Sequence, residues 1–314
     1  MLQELQHWLR DPPPSLVFEL SEAGVALARL GPKSRLPEAL LFSPLAEGAV
    51  EASPIRENVR QPEELDRALQ ELVAQAAPNG ARRKRKDAAL LLPDNCARLT
   101  VLDFENLPGD AAERLALIRW RLKKAVPFDV DTASIAYQLQ RSGGAGKQGL
   151  SKQISVLVAV SPVEVIGQYE AAVRRLGLNL GYVGISVAAA LNLVVEQGVT
   201  MLAKLGGHTL SLVVIDQGQV RLVRSLEAGA AGPQALTEDR LREMAADLYP
   251  TFVYVADNFG APISKLVLAG FGSAYAAAGD VFRRELGYEA GVLQGPQGVV
   301  EAHDAGIWGF LSTT

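Results

Sequence analysis

The same unit is written twice in this chain of 314 residues. From Leu16 to Leu30 it reads Leu-Val-Phe-Glu-Leu-Ser-Glu-Ala-Gly-Val-Ala-Leu-Ala-Arg-Leu. From Met201 it reads Met-Leu-Ala-Lys-Leu-Gly-Gly-His-Thr-Leu-Ser-Leu-Val-Val-Ile. Each is an apolar strand, a tight polar turn and a second apolar strand, the pattern of a β-hairpin. One such hairpin near the start of each half predicts a duplicated α/β architecture with a cleft between the halves.

Composition narrows what such a fold can do. A hydrophobic content of 48% with 21% charged residues is that of a globular chain with a substantial core, long enough for two domains. The net charge of −4 argues against nucleic acid as the main partner, because phosphate backbones demand a basic field. The single cysteine, Cys96, excludes an intrachain disulfide framework and a CxxC metal site, and reads as a small residue packed beside a turn. Met1–Arg10 lacks an apolar run, so no signal peptide is expected, and no apolar stretch reaches the length of a membrane-spanning helix. The expectation is a cytoplasmic protein.

Strand and helix patterns alternate along the chain. Leu2, Leu5, Trp8 and Leu9 suggest a short amphipathic tail ended by Pro12-Pro13-Pro14. Helical spacing marks Glu63–Ala77, Asp110–Ala125, Val163–Leu176 (stopped by Gly177), Gly184–Val195, Leu241–Asn258 and Gly272–Glu285. Strands are predicted at Ala88–Leu92, Leu99–Leu102, Ser134–Leu139, Ile154–Val160, Leu180–Val183, Val220–Glu227 and Lys265–Ala269. The basic run Arg82–Lys86 sits in a loop; it reads as a solvated stretch, with an anionic membrane surface as the sharper alternative.

Motifs of enzymatic chemistry fail one by one. Gly143-Gly144-Ala145-Gly146-Lys147 lacks the P-loop's first glycine, where Arg141 stands, and its hydroxyl after the lysine, where Gln148 stands. His7, His208 and His303 are scattered, without metal-ligand spacing. Asp129 and Asp131 read as turn residues or caps rather than a catalytic pair. No Gly-x-Ser-x-Gly elbow marks a nucleophile.

The segment Ile118-Arg-Trp-Arg-Leu-Lys-Lys-Ala-Val-Pro-Phe-Asp-Val-Asp, leading to Ala136-Tyr137-Gln138, resembles the PilM family of type IV pilus assembly proteins. These are members of the actin-like ATPase superfamily, related to FtsA. Val156–Val160, the helix to Gly177-Leu178, Val183–Ala190, the stretch Leu266-Val-Leu-Ala-Gly-Phe-Gly-Ser and Asp304-Ala-Gly-Ile-Trp-Gly follow the family order. The resemblance implies an actin-like (ribonuclease H-like, duplicated) α/β fold. It also implies a tail at 1–15, a first domain at 16–200 with an inserted subdomain at about 88–160, and a second domain at 201–314.

Departures from the family pattern carry the functional expectation. ATP-binding members begin both phosphate hairpins with Asp-x-Gly. Here Glu19 and Ser21 stand in the first, followed by Glu22, and Lys204 replaces the acid of the second while Gly206 and Gly207 keep the turn. Lys204 attracts phosphate but cannot hold a metal. Gly270 and Gly272 remain of the adenosine-loop glycines, with Phe271 between them to fill the space of a base. Only Gly229–Asp239 stands where the family places its second small subdomain, which is expected to be largely deleted. The resemblance therefore implies a non-catalytic scaffold with a degenerate ATP cleft and no resident cofactor.

Its partner would be the cytoplasmic N-terminal peptide of a PilN-like inner-membrane protein, held in a groove near the insert, with other pilus components beside it. Membrane contact would be indirect. The alternatives are an ATPase that binds Mg-ATP with Glu19 and Lys204 in altered roles, and a GspL-like component of a type II secretion system. GspL proteins continue into a transmembrane helix, and this chain stops at Thr314 without one.

Overall fold

The computed structural model describes residues 14–31, 34, 36–77, 86–140, 154–229, 236–301 and 303–313. The amphipathic N-terminal tail, the basic residues 82–85, the glycine loop at 143–147 and residues 230–235 of the short link lie outside the described residues.

The chain opens with β1 (Leu16–Ser21), β2 (Gly24–Leu30), β3 (Pro37–Pro44), α1 (Pro62–Gln75) and β4 (Asp87–Leu92). An insertion follows: β5 (Arg98–Phe104), α2 (Ala111–Leu122), β6 (Ala133–Leu139) and β7 (Ile154–Pro162). The first half closes with α3 (Val163–Arg175), β8 (Asn179–Ile185) and α4 (Ser186–Ala190). The second half runs β9 (Thr200–Gly206), β10 (Thr209–Asp216), β11 (Gln219–Glu227), α5 (Glu238–Phe259), β12 (Lys265–Ala269), α6 (Tyr275–Leu286) and β13 (Ala290–Val292). A two-stranded ladder, β14 (Gln294–Gly295) with β15 (Gly298–Val299), leads to α7 (Ala305–Leu311).

Two five-stranded sheets result, ordered β3-β2-β1-β4-β8 and β11-β10-β9-β12-β13. The pattern is the same in each: two antiparallel pairs, then parallel neighbours from β1 to β4 and from β9 to β12. Duplication is thus visible in the strand order. Helices cover both faces of the first sheet, which is why β1 and β4 are apolar continuously rather than alternately. Leu16, Phe18, Leu90 and Leu92 pack toward α1 and α3, while Val17, Ala89 and Leu91 pack toward Ile307, Phe310 and Leu311 of α7. Helix α7 follows the second half in sequence yet completes the core of the first. Added carbon on Gly309 would meet the Ala189 carbonyl oxygen at 2.0 Å, so the bare glycine permits the α4–α7 contact.

Local chemistry sets the helix ends. Asp110 caps α2 by accepting from the Ala112 and Glu113 amides, and those bonds hold its carboxyl below the ordinary aspartate range. Gly177, at φ +71, ends the turn after α3. Asp129 caps a single 3-10 turn and Asp131 pairs with Lys123 at 2.7 Å, the turn and cap roles that their sequence suggests.

Two boundaries need correction. Residues 88–92 belong to β4, paired in parallel with β1, so the insert starts after that strand rather than at 88; its own sheet is β5-β7-β6, backed by α2. The helix expected over 184–195 shrinks to α4 and a 3-10 turn at Leu191–Leu193. Gly184 and Ile185 are held in the sheet opposite Leu91 and Leu92. At the other end the Asn192 side chain donates to the Ala189 carbonyl and competes with helical bonding.

Candidate functional site

The two hairpin turns face each other across the junction of the halves, and charged side chains of the protein itself occupy the space between them. Glu22, in the β1–β2 turn, is buried. Its Oε1 accepts from the Ala52 amide at 2.8 Å and its Oε2 from the His208 amide, in the β9–β10 turn, at 2.6 Å. Gly207 (φ +64) has no room for a side chain there: an added carbon would sit 2.5 Å from Glu22 Oε2.

Deeper in, Lys204 does not face the cleft as a free cation. Its Nζ lies 3.1 Å from Asp94 Oδ2, with both side chains almost fully buried. Asp94 sits in the 3-10 turn after β4 and also accepts from Ser211 Oγ at 2.9 Å and the Val187 amide at 2.7 Å. Four elements therefore converge on one carboxylate. Sequence reading missed Asp94. The signal was Lys204 itself, since an ammonium inside an apolar strand needs a buried acid.

Glu19 lies within electrostatic reach of Lys204 but makes its hydrogen bonds elsewhere. Its carboxylate accepts from Ser186 Oγ of α4 and, at 2.9 Å, from the Ile307 amide of α7. Burial pushes its pKa up to about 7, against the opposing pull of Lys204 and these hydrogen bonds. Asp304 stands just before α7. Its Oδ2 accepts from Trp308 Nε1 at 3.1 Å, its Oδ1 has no partner among the described residues, and burial raises its pKa to about 6. Next to it His303 stacks flat on Phe42, with ring centroids 3.9 Å apart; burial, then Lys204, lowers its pKa to about 4.

The remaining predicted residues are structural in their contacts. Ser21 Oγ donates to the Gly24 carbonyl at 3.2 Å and closes its own turn. Gly206 lies beside the Lys204–Asp94 pair. Gly270 (φ +82) lets β12 leave the sheet where a side chain would strike the Leu205 carbonyl, and Gly272 (φ +50) continues that turn. Phe271, between these two glycines, is the residue expected to fill the space of a base. Its ring is fully buried in the core of the second half, 6.0 Å from Tyr275 and 6.1 Å from Phe282. Cys96 is buried and donates to Tyr169 Oη at 3.3 Å; burial pushes its thiol up to about 12, out of reach of nucleophilic chemistry near neutrality. Among the described residues no cluster of His, Cys, Asp and Glu is placed to hold a metal.

On the insert side of the junction lies a groove of about 920 Å³. Sheet-edge strands β6 and β8 both line it, each with one strand neighbour among the described residues. Ala136, Gln138, Leu157, Ala159, Tyr182 and Phe310 contribute to its walls. Glu196 is the one charged side chain among the described lining residues. At one end the Gln140 amide group pairs twice with Val220, donating to its carbonyl at 2.9 Å and accepting from its amide at 2.7 Å.

The duplicated sheets, facing hairpin turns and cross-packed helices define the fold of the actin-like ATPases. Within it, the chain resembles PilM. The PilM–PilN type IV pilus biogenesis complex overlays with a TM-score of 0.76 at 16% identity, covering 96% of this chain and 98% of that one. A Bacteroides thetaiotaomicron protein with an actin-like ATPase fold and unknown function gives 0.51 at 11% identity, covering 95% of each chain. The ethanolamine utilization protein EutJ from Carboxydothermus hydrogenoformans gives 0.50 at 14%, covering 97% and 91%. No family model and no curated protein matches the sequence.

Proposed function

We propose that this protein is a non-catalytic scaffold of the PilM type, which binds a short extended peptide from a PilN-like inner-membrane protein. It would work at the cytoplasmic face of the inner membrane in a pilus machine; among the described residues no helix is long and apolar enough to cross that membrane itself. The observation that carries the reading is the open groove between β6 and β8. Two sheet edges without a second strand neighbour among the described residues offer backbone hydrogen bonds to an incoming strand. Shallow apolar walls offer side-chain pockets, and together these are the chemistry of strand addition. The contrast with the cleft supports the second part of the reading. A nucleotide needs vacant amides and a metal-binding acid between the hairpins, whereas Glu22, Lys204 and Asp94 satisfy one another and their neighbours there.

The test is a calorimetric titration with the cytoplasmic N-terminal peptide of a PilN-like single-span membrane protein. Saturable binding at micromolar peptide, together with no heat from Mg-ATP up to millimolar concentration, is the expected result. Failure to bind the peptide alongside clear ATP turnover overturns the reading. Saturation by a type II secretion partner in place of the pilus peptide would move the same scaffold to the other machine.

A further inference from the structure

We propose that Glu22 is the resident anion of a site built from the turns of both halves, and that this carboxylate clasps the halves together at the mouth of the cleft. The clasp works the same way whichever partner fills the groove.

The two oxygens divide their work. Oε1 takes the Ala52 amide of the first half, whose carbonyl is in turn held by Asn95 at 3.0 Å. Oε2 takes the His208 amide of the second half. Among the described residues no ion pair reaches this carboxylate; its charge is met by backbone N–H groups. Amides from separate turns converging on one negative group form an anion-binding concavity, the arrangement that holds phosphates and carboxylates alike. Left-handed backbone at Gly207 shapes that concavity, and its missing side chain makes the room. Glu22 also lines a pocket of about 460 Å³ whose other charged members are the acids Glu47, Glu51 and Glu227 and the guanidinium of Arg56, with Asn95 and Ser225 beside them. A small solute therefore has a path to the position Glu22 holds.

Cutting the side chain back should leave the amides in place and unfilled. Glu22→Ala is expected to lower the melting temperature by about 5 °C, the scale for losing two charge-assisted hydrogen bonds in a chain of this size. Sodium formate or inorganic phosphate should then recover at least half of that loss, measured against sodium chloride at equal ionic strength, and should leave the wild type unmoved by the same comparison. Formate alone restoring the loss defines a carboxylate-sized site; phosphate doing so defines a site that also admits phosphate, and either result supports the proposal. An unchanged melting temperature, or no recovery beyond that of chloride, overturns it. Should Glu22→Ala fail to fold, Glu22→Gln decides. That side chain keeps the bulk but turns an amide toward an amide, so it should melt several degrees lower and show no recovery by either anion. Stability equal to the wild type in Glu22→Gln would overturn the proposal.

Discussion

The cleft and the groove are both seams between parts of the same chain, and they are finished in opposite ways. The cleft is filled by charge that the protein supplies to itself: Glu22 on two amides, Asp94 on Lys204, Ser211 and the Val187 amide, Glu19 on Ser186 and the Ile307 amide. The groove has open sheet edges, apolar walls and a single described acid, Glu196. Buried charges with complete partners give rigidity, whereas unpaired strand edges offer hydrogen bonds to a newcomer. The difference shows where this fold meets its charges internally and where it leaves strand edges open to a partner.

The strongest way to break the comparison is to strip the cleft of one charge. Asp94→Ala leaves Lys204 buried without its partner and should cost about 3–5 kcal/mol in urea unfolding. Replacing both, Asp94→Leu with Lys204→Met, should recover much of that loss, because an apolar pair carries no desolvation cost. Equal instability of single and double variants would show that the pair does more than neutralise itself.

Glu19 offers a second test, in pH. Its folded pKa of about 7 lies above the ordinary glutamate value of 4.5, so the folded state holds the proton more tightly than the unfolded chain. Its contribution to stability is therefore fully present below about 4.5 and is lost as pH rises to about 7. Glu19→Gln cannot titrate, so its stability relative to the wild type should increase by about 3 kcal/mol between pH 4.5 and 8, since each pH unit between the two pKa values is worth about 1.4 kcal/mol. Asp304 carries the same sign over a shorter window ending near 6, and His303 the opposite sign, its contribution lost as pH falls from 6.5 through about 4. Both remain in the variant, so the difference between the two proteins isolates Glu19. A pH-independent difference in unfolding energy would refute the assignment.

Smaller effects belong to the groove. Ala136 is exposed on β6, and Ala136→Arg should weaken peptide binding at least tenfold, about 1.4 kcal/mol, while moving the melting temperature by less than a degree or two. Binding left intact by that arginine would place the peptide elsewhere. The smallest expectation is a flat line: Mg-ATP at millimolar concentration should not change the melting temperature, whereas a ligand at 100 times its Kd would add about 2.7 kcal/mol.

The fold was legible because β1, β4, β9 and β10 are apolar on both faces and a hairpin repeated at the start of each half. Strand β3 was not: Pro37 and Pro44 bound it, its burial alternates, and its register with β2 shifts beside Pro37, between Arg29 and Leu30, all marks of an edge strand. At the site, Glu19 and Lys204 were readable as departures from a pattern. Their partners were not, since Asp94 lies 110 residues from Lys204 and Ile307 lies 288 from Glu19. The packing of Phe271 was hidden for a related reason. A large ring between two glycines has two sides to choose from, and only the packed core of Tyr275 and Phe282 decides which. A groove near the insert was expected from the resemblance alone; its walls could not be read from the residues, because they come from the insert, β8, α4 and α7 together.

Helix α7 carries a consequence for how the chain is made. The second face of the first sheet, packed by Ala189 of α4, is completed only when residues 305–311 have been synthesised, more than a hundred residues after α4. The first half therefore emerges from the ribosome with Val17, Ala28 and Leu91 uncovered and cannot finish folding as a unit ahead of the second. Such long-range closure slows folding and makes the two halves one cooperative body. A partner seated in the groove beside the insert thus meets one wall, Phe310, that arrives only with α7.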